Sequence, residues 1–159
     1  MRKIDFPKLI AAILISQAAG VIGSVFTITS IPAWYAALNK PFFTPPSWVF
    51  GPVWITLYTL MGIAAYLVWE NGIEKKEVKE AIGVFGLQLG LNALWPIVFF
   101  GLHELLLGFV VIVLLWLAIL LTIIKFDRVS RNAALLLLPY IAWVSLAAAL
   151  NLAIVVLNS

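Results

Sequence analysis

Cysteine is absent from this 159-residue sequence, histidine occurs once, and only 11% of the residues are charged. Without cysteine there is no disulfide, no thiolate metal site and no thiol nucleophile. A soluble domain carries about 25% charged residues, so water is a poor candidate for the main solvent. The interiors of the long apolar runs also lack Asp, Glu, Lys, Arg and His. Ion pumps, proton relays and voltage sensors usually need such groups inside the membrane. Their absence argues against a proton- or sodium-driven transporter and leaves open the passive movement of an apolar molecule. No conventional catalytic set is visible. His103 beside Glu104 is the nearest thing to an acid–base pair, and it lies in a tight hairpin rather than in a span.

What the sequence has is apolar length. Hydrophobic residues make up 64% of the chain, and a helix needs about 20 of them in succession to cross the hydrocarbon core. Five segments qualify: 9–28, 48–69, 81–101, 105–126 and 133–157. They lack the alternation of barrel strands, so the expected fold is an all-α membrane protein, a single domain (1–159) forming a five-transmembrane-helix bundle. The apolar character of the first segment continues to Ile28, which is long for a signal peptide, so it is read as a retained span.

The cations supply an orientation. Arg2, Lys3, Lys8, Lys75, Lys76, Lys79, Lys125, Arg128 and Arg131 fall on one side of the alternating loops, and only Lys40 falls on the other. Positive residues stay cytoplasmic. The expected arrangement has the amino terminus cytoplasmic, and the first loop and carboxyl terminus on the opposite side. Because the basic residues are split among three loops, they read as topology and not as a nucleic-acid surface.

The first loop, 29–47, reads TSIPAWYAALNKPFFTPPS. Ser30 is positioned to cap a short helix with Pro32 in its first turn. The loop is either an aromatic belt at the membrane surface or a helical lid over a cavity. The third connection is only Gly101-Leu102-His103-Glu104, which makes the third and fourth helices antiparallel neighbours. Gly101 suits the positive φ often found at a helix end. The fourth helix is nearly pure aliphatic and reads as lipid-facing scaffold. Pro139 should kink the fifth.

The third helix has two faces. At 100° per residue, Gln88, Asn92 and Trp95 share one arc, and Gly83, Gly86, Gly90 and Ala93 share the opposite one. Amides unpaired in hydrocarbon are costly, so the first arc should point inward, either for interhelical hydrogen bonds or toward a ligand. The small arc is a close-approach seam, best suited to a second copy of the chain. Trp54, Tyr58, Met61 and Ala65 on the second helix, and Tyr140, Trp143, Ala147 and Leu150 on the fifth, add aromatic faces. Such walls with sparse amides suit a large, flat, mostly apolar ligand, unless the aromatics simply fill the core.

Several motifs coincide: Trp34-Tyr35-x-x-Leu38-Asn39-Lys40-Pro41, Pro45-Pro46-x-Trp48-Val49-Phe50-Gly51-Pro52-Val53-Trp54 with Leu57-Tyr58, Gln88-Leu89-x-Leu91-Asn92-x-x-Trp95, Phe99-Phe100-Gly101, and Pro139-Tyr140-x-x-Trp143 with Leu150-Asn151. Together they closely resemble the tryptophan-rich sensory protein (TspO/MBR) family, also called the translocator protein or peripheral-type benzodiazepine receptor family, over residues 9 to 157. The resemblance implies a ligand cavity beneath the first loop, binding of tetrapyrroles such as protoporphyrin IX, and in some members binding of sterols or isoquinoline-type ligands. It implies that Trp54, Asn92, Trp143 and Ala147 line the pocket, with Tyr35, Tyr58, Gln88, Trp95 and Leu150 as neighbours. It also implies a homodimer through the third helix.

The tetrapyrrole would be a ligand, and no cofactor is expected. Three functions follow from the resemblance: a membrane receptor or carrier, a light- and oxygen-dependent porphyrin-degrading enzyme using Trp54 and Trp143, or a ligand-modulated regulatory protein. The family's animal members end the fifth helix with a tyrosine followed by an arginine, a proposed cholesterol pattern. Here the tail LNLAIVVLNS has neither, which speaks against a dedicated sterol role.

Overall fold

The computed structural model describes residues 2–159, and five helices in it are long and apolar enough to cross a membrane. The first, α1 (Phe6–Ser30), starts at Asp5, whose carboxylate accepts the Lys8 amide at 3.2 Å. Pro7 occupies its first turn, where a missing N–H costs nothing. The expected stop near Ile28 does not occur. Ser30 keeps helical dihedrals (φ −88°, ψ −30°), and the chain continues into a π-helical turn, Ile31–Tyr35. The helical segment expected in the first loop is therefore present as the end of α1, and Ser30 does not cap it. Pro32 explains the widened turn, because its ring has no N–H and crowds the preceding turn. Ser30 Oγ instead donates to the Phe100 carbonyl at 2.6 Å.

The extended helix ends at Ala37, and Lys40 just beyond it folds back so that its Nζ donates to the carbonyls of Tyr35 at 2.8 Å and Leu38 at 3.0 Å. A cation belongs at the negative end of a helix. The one exception to the charge bias is thus a structural cap. Asn39 then pairs with the far end of the chain: its amide donates to Asn158 Oδ1 at 3.0 Å, and Asn158 Nδ2 returns a bond to the Asn39 carbonyl at 2.9 Å.

Helix α2 (Ser47–Trp69) follows Pro45-Pro46 and carries Pro52 inside it. Helix α3 (Lys76–Pro96) begins five residues before the apolar run, because its first turn is charged and lies outside the hydrocarbon. After Pro96 comes a second π-helical turn, Ile97–Gly101. The left-handed residue of the next hairpin is His103 (φ 59°), not Gly101. Gly101 is needed for a different reason: a Cβ there would lie 2.7 Å from the Phe26 ring.

Helix α4 (Leu105–Val129) is more than scaffold. Ile112, Leu115, Ile119 and Phe126 are almost fully buried, while Leu106, Leu114 and Leu117 face outward. The fifth span is broken, as Pro139 foretold. Short α5 (Arg131–Leu136) ends at Leu137, and α6 (Leu138–Leu157) continues with Pro139 in its first turn.

Packing partners define a ring in the order α1, α2, α5–α6, α4, α3 and back to α1. One core cluster joins Leu57, Met61, Phe85, Ile119, Phe126 and Tyr140. A smaller aromatic cluster of Tyr35, Phe99 and Phe100 with Leu150 and Ile154 sits under the first loop. The closest backbone approach is at Gly62, where an added Cβ would overlap the Ile13 backbone, whereas Gly51 faces open space. Gly62→Ala should therefore destabilise the bundle by about 1–3 kcal/mol through overpacking. Gly51→Ala should leave stability unchanged or slightly raised. Thermal unfolding in detergent micelles checks the contrast, and equal melting points would refute the close approach.

Candidate functional site

The middle of the bundle is held by four polar side chains from three helices. Tyr58 on α2 donates its hydroxyl to Asn92 Oδ1 on α3. Asn92 Nδ2 donates to the Tyr140 hydroxyl on α6 at 2.7 Å, and Tyr140 donates in turn to Gln88 Oε1 at 2.8 Å. Gln88 Nε2 faces the Met61 sulfur at 3.9 Å. Gln88, Asn92 and Tyr140 are 1%, 3% and 1% exposed, so water does not compete for these bonds. Helical spacing brings Gln88 and Asn92 to one face of α3, as expected. Their amides, however, are committed to neighbouring helices and line none of the three spaces described next.

Three spaces among the described residues hold the aromatic residues expected to bind ligand. A cleft of about 520 Å³ lies between α1 and α2, walled by Gly23, Trp48, Trp54, Tyr58 and Trp95. Gly20 and Gly23 make room for its inner wall, since a Cβ would come within 2.5 Å of the Tyr58 ring and 2.7 Å of Pro96 respectively. A second cleft of about 540 Å³ lies between α2 and α6, where Trp143 faces Val53, Leu57 and Leu60. Beneath the first loop is a cavity of only about 30 Å³, lined by Tyr35, Phe50, Trp95, Ala147, Leu150 and Asn151.

The nine sequence-predicted ligand residues are therefore not one wall. Trp54, Tyr58 and Trp95 share the α1–α2 cleft; Tyr35, Ala147 and Leu150 join Trp95 around the small cavity; Trp143 lines the α2–α6 cleft; Gln88 and Asn92 are internal ties. Trp54 stacks on Tyr58 with centroids 5.5 Å apart, and Trp143 meets Phe50 edge-on at 6.0 Å. Trp95 is oriented by its Nε1 donating to Asn151 Oδ1 at 3.1 Å. Among the described residues, the Tyr35 hydroxyl is the one buried side-chain polar atom with no hydrogen-bond partner.

Sequence reasoning left Phe50, Trp48 and the Gly20–Gly23 pair out of the site, and it placed Tyr140 on the aromatic face of the fifth helix without naming it a ligand residue. Tyr140 had a signal, its three-residue spacing from Trp143, and Gly20 and Gly23 had theirs, small residues on one helical face. Among the described residues no cation lines the α1–α2 cleft, and no three His, Asp or Glu side chains gather as metal ligands. His103 stacks on Trp34 at 4.3 Å on the outer rim, and neither residue lines these three spaces. The arrangement offers shape, aromatic faces and few polar contacts, which suits binding a large apolar molecule.

Comparison with known proteins agrees with this architecture. Residues 12–157 match the TspO/MBR family. The chain is 51% identical over 152 residues to the tryptophan-rich protein TspO of Archaeoglobus fulgidus, covering 96% of this chain and 97% of that one. It is 40% identical to protein CrtK of Rhodobacter capsulatus, with 88% and 86% covered. It is 42% identical to the translocator protein of Homo sapiens, with 82% and 78% covered.

The buried network generates a prediction about stability. Tyr140→Phe removes a donor to Gln88 and an acceptor from Asn92 at once. Interhelical hydrogen bonds in membranes are worth about 0.6 kcal/mol on average, and an orphaned buried group costs about 1–3 kcal/mol. The variant should lose about 1–2 kcal/mol in a denaturant titration in micelles. Phe at position 140 keeping full stability would show that the network contributes nothing.

Proposed function

The chain belongs to the TspO/MBR family of membrane proteins, and we propose that it is a receptor or carrier for tetrapyrroles such as protoporphyrin IX. The α1–α2 cleft carries the reading. Its volume of about 520 Å³ falls in the range of ligand pockets, about 300–1,000 Å³, and three tryptophans wall it. The cavity under the first loop, at about 30 Å³, is too small for a macrocycle and has room for about one water. The ring would stack against Trp54 and Trp95, and its carboxylates would remain at the polar rim, since no cation among the described residues lines the cleft. The cation bias supports a cytoplasmic amino terminus.

A saturable quenching of tryptophan fluorescence by protoporphyrin tests the reading. The double variant Trp54→Phe, Trp143→Phe should bind about fivefold more weakly, from the one weakened aromatic contact of about 0.5–1.5 kcal/mol at Trp54. With Trp54 in the cleft and Trp143 outside it, most of that loss should come from Trp54→Phe alone. Unchanged affinity in the double variant removes the assigned pocket. A porphyrin-degrading enzyme would instead give a new absorbing product under illumination that needs both tryptophans. These two line separate clefts, which favours the receptor or carrier.

The proposal extends to a homodimer through α3. Gly83, Gly86 and Gly90 are exposed, with open space where a Cβ would stand, and Ala93 is half-buried beside them. A smooth strip of this kind lets a second helix approach closely. Gly86→Leu should leave the protomer folded and shift the protein to monomer in light scattering. A persistent dimer would place the interface elsewhere.

A further inference from the structure

A groove at the opposite end of the molecule from the first loop is unused by the function proposed above. It has a volume of about 350 Å³ and lies between the last turns of α4 and the short α5. Its walls are Ile123, Ile124, Leu135 and Leu138, and its mouth carries Asp127, Arg128 and Arg131. The break at Leu137, with Pro139 just beyond it, sets α5 off from α6 as a separate helix and so shapes this groove. We propose that the groove binds an anionic phospholipid from the leaflet on the side of the basic loops.

Charge comes first. Arg128 forms no ion pair or side-chain hydrogen bond among the described residues. Arg131 has only Asp127, at 3.7 Å, with side chains 78% and 50% exposed, and so open a pair is weak. The nearby Glu80 is held by Lys125 at 2.8 Å, with Lys76 at 4.0 Å. Glu80 also feels Arg128, but the two carboxylates of Asp127 and Glu80 face four cations, Lys76, Lys125, Arg128 and Arg131, so the mouth is net positive. Arginine's planar fork matches a phosphate in two-point contact.

Depth comes second. Ile124 lies one turn inward from Arg128 and Leu135 one turn inward from Arg131, each about 6 Å. A charged mouth at the interface with an apolar floor running toward the membrane centre has the profile of a phosphate headgroup above its acyl chain. A free phosphate would leave that floor uncovered. A zwitterionic lipid would bring its own cation up against the arginines. Basic pockets between spanning helices recognise anionic headgroups for these reasons.

The test is native mass spectrometry of the full chain released from micelles holding equal phosphatidylglycerol and phosphatidylcholine. Phosphatidylglycerol should be retained preferentially. Arg128→Gln and Arg131→Gln should each lower its retention about fivefold, while Asp127→Asn should raise it. Protoporphyrin quenching should be unchanged in all three, which shows that each variant is folded. Phosphatidylglycerol, but neither phosphatidylcholine nor inorganic phosphate, should raise the melting temperature of the wild-type protein. Equal retention of the two lipids, or arginine variants that retain phosphatidylglycerol like the wild type, overturns the proposal. Equal stabilisation by inorganic phosphate overturns it too, by reducing the site to one for small anions.

Discussion

The chain of hydrogen bonds from Tyr58 through Asn92 and Tyr140 to Gln88 is the constraint on which the rest of the bundle depends. Apolar side chains can slide and rotate past one another in lipid at little cost, because hydrocarbon gives no hydrophobic reason to prefer one face. Amides cannot, since a donor turned to lipid has no substitute partner. Two amides on one face of α3 therefore fix its rotation, and the tyrosines of α2 and α6 fix its neighbours. With that rotation set, Gly83, Gly86 and Gly90 have to point outward. The exposed small strip and the buried polar face are one fact seen from two sides.

Prolines set the second layer of organisation. Pro32 and Pro96 each fall at a π-helical turn, and the Ser30 hydroxyl joins the two turns through the Phe100 carbonyl. A π turn leaves carbonyls without their usual i+4 donor, and a nearby hydroxyl repairs one. The aromatic cluster of Tyr35, Phe99 and Phe100 hangs from this joint. Pro139 breaks the fifth span at a different depth and produces α5.

Much of this was legible from the sequence, for identifiable reasons. Helix number follows from apolar length, and the inward face of α3 follows from two amides at i and i+4. The kink follows from Pro139. What was not legible shares one cause: the signal is relational and not local. Ser30 looks like a cap beside Pro32, but its partner lies 70 residues away in Phe100. Gly101 looks like a turn residue, but its constraint is the ring of Phe26. In α4 almost every residue is aliphatic, so hydropathy has no contrast from which to read a buried face. The nine site residues were grouped because they belong to matching motifs, and no motif says that Trp54 and Trp143 line different clefts.

The position of the α1–α2 cleft constrains how any ligand of this protein arrives. Gln17 on α1 ties one end of the cleft to α2, donating to the Ile55 carbonyl and to Thr59 Oγ1, each at 3.0 Å. The other end reaches Ile31, next to the Ser30 bond to α3's continuation. Movement along the membrane normal past Gln17 would have to break that tie, whereas sideways passage between the helices does not. The outward residues around the opening include Val21, Ile28 and Ile55, all well exposed, so its threshold is apolar. The cleft is therefore open along an apolar side. A flat apolar ring would first partition into the bilayer and then enter laterally, with its carboxylates held at the interface. On that route the membrane would do the concentrating for the ligand proposed above, and the cleft would need only to match shape and present tryptophan faces. A binding site without a single buried charge is then sufficient.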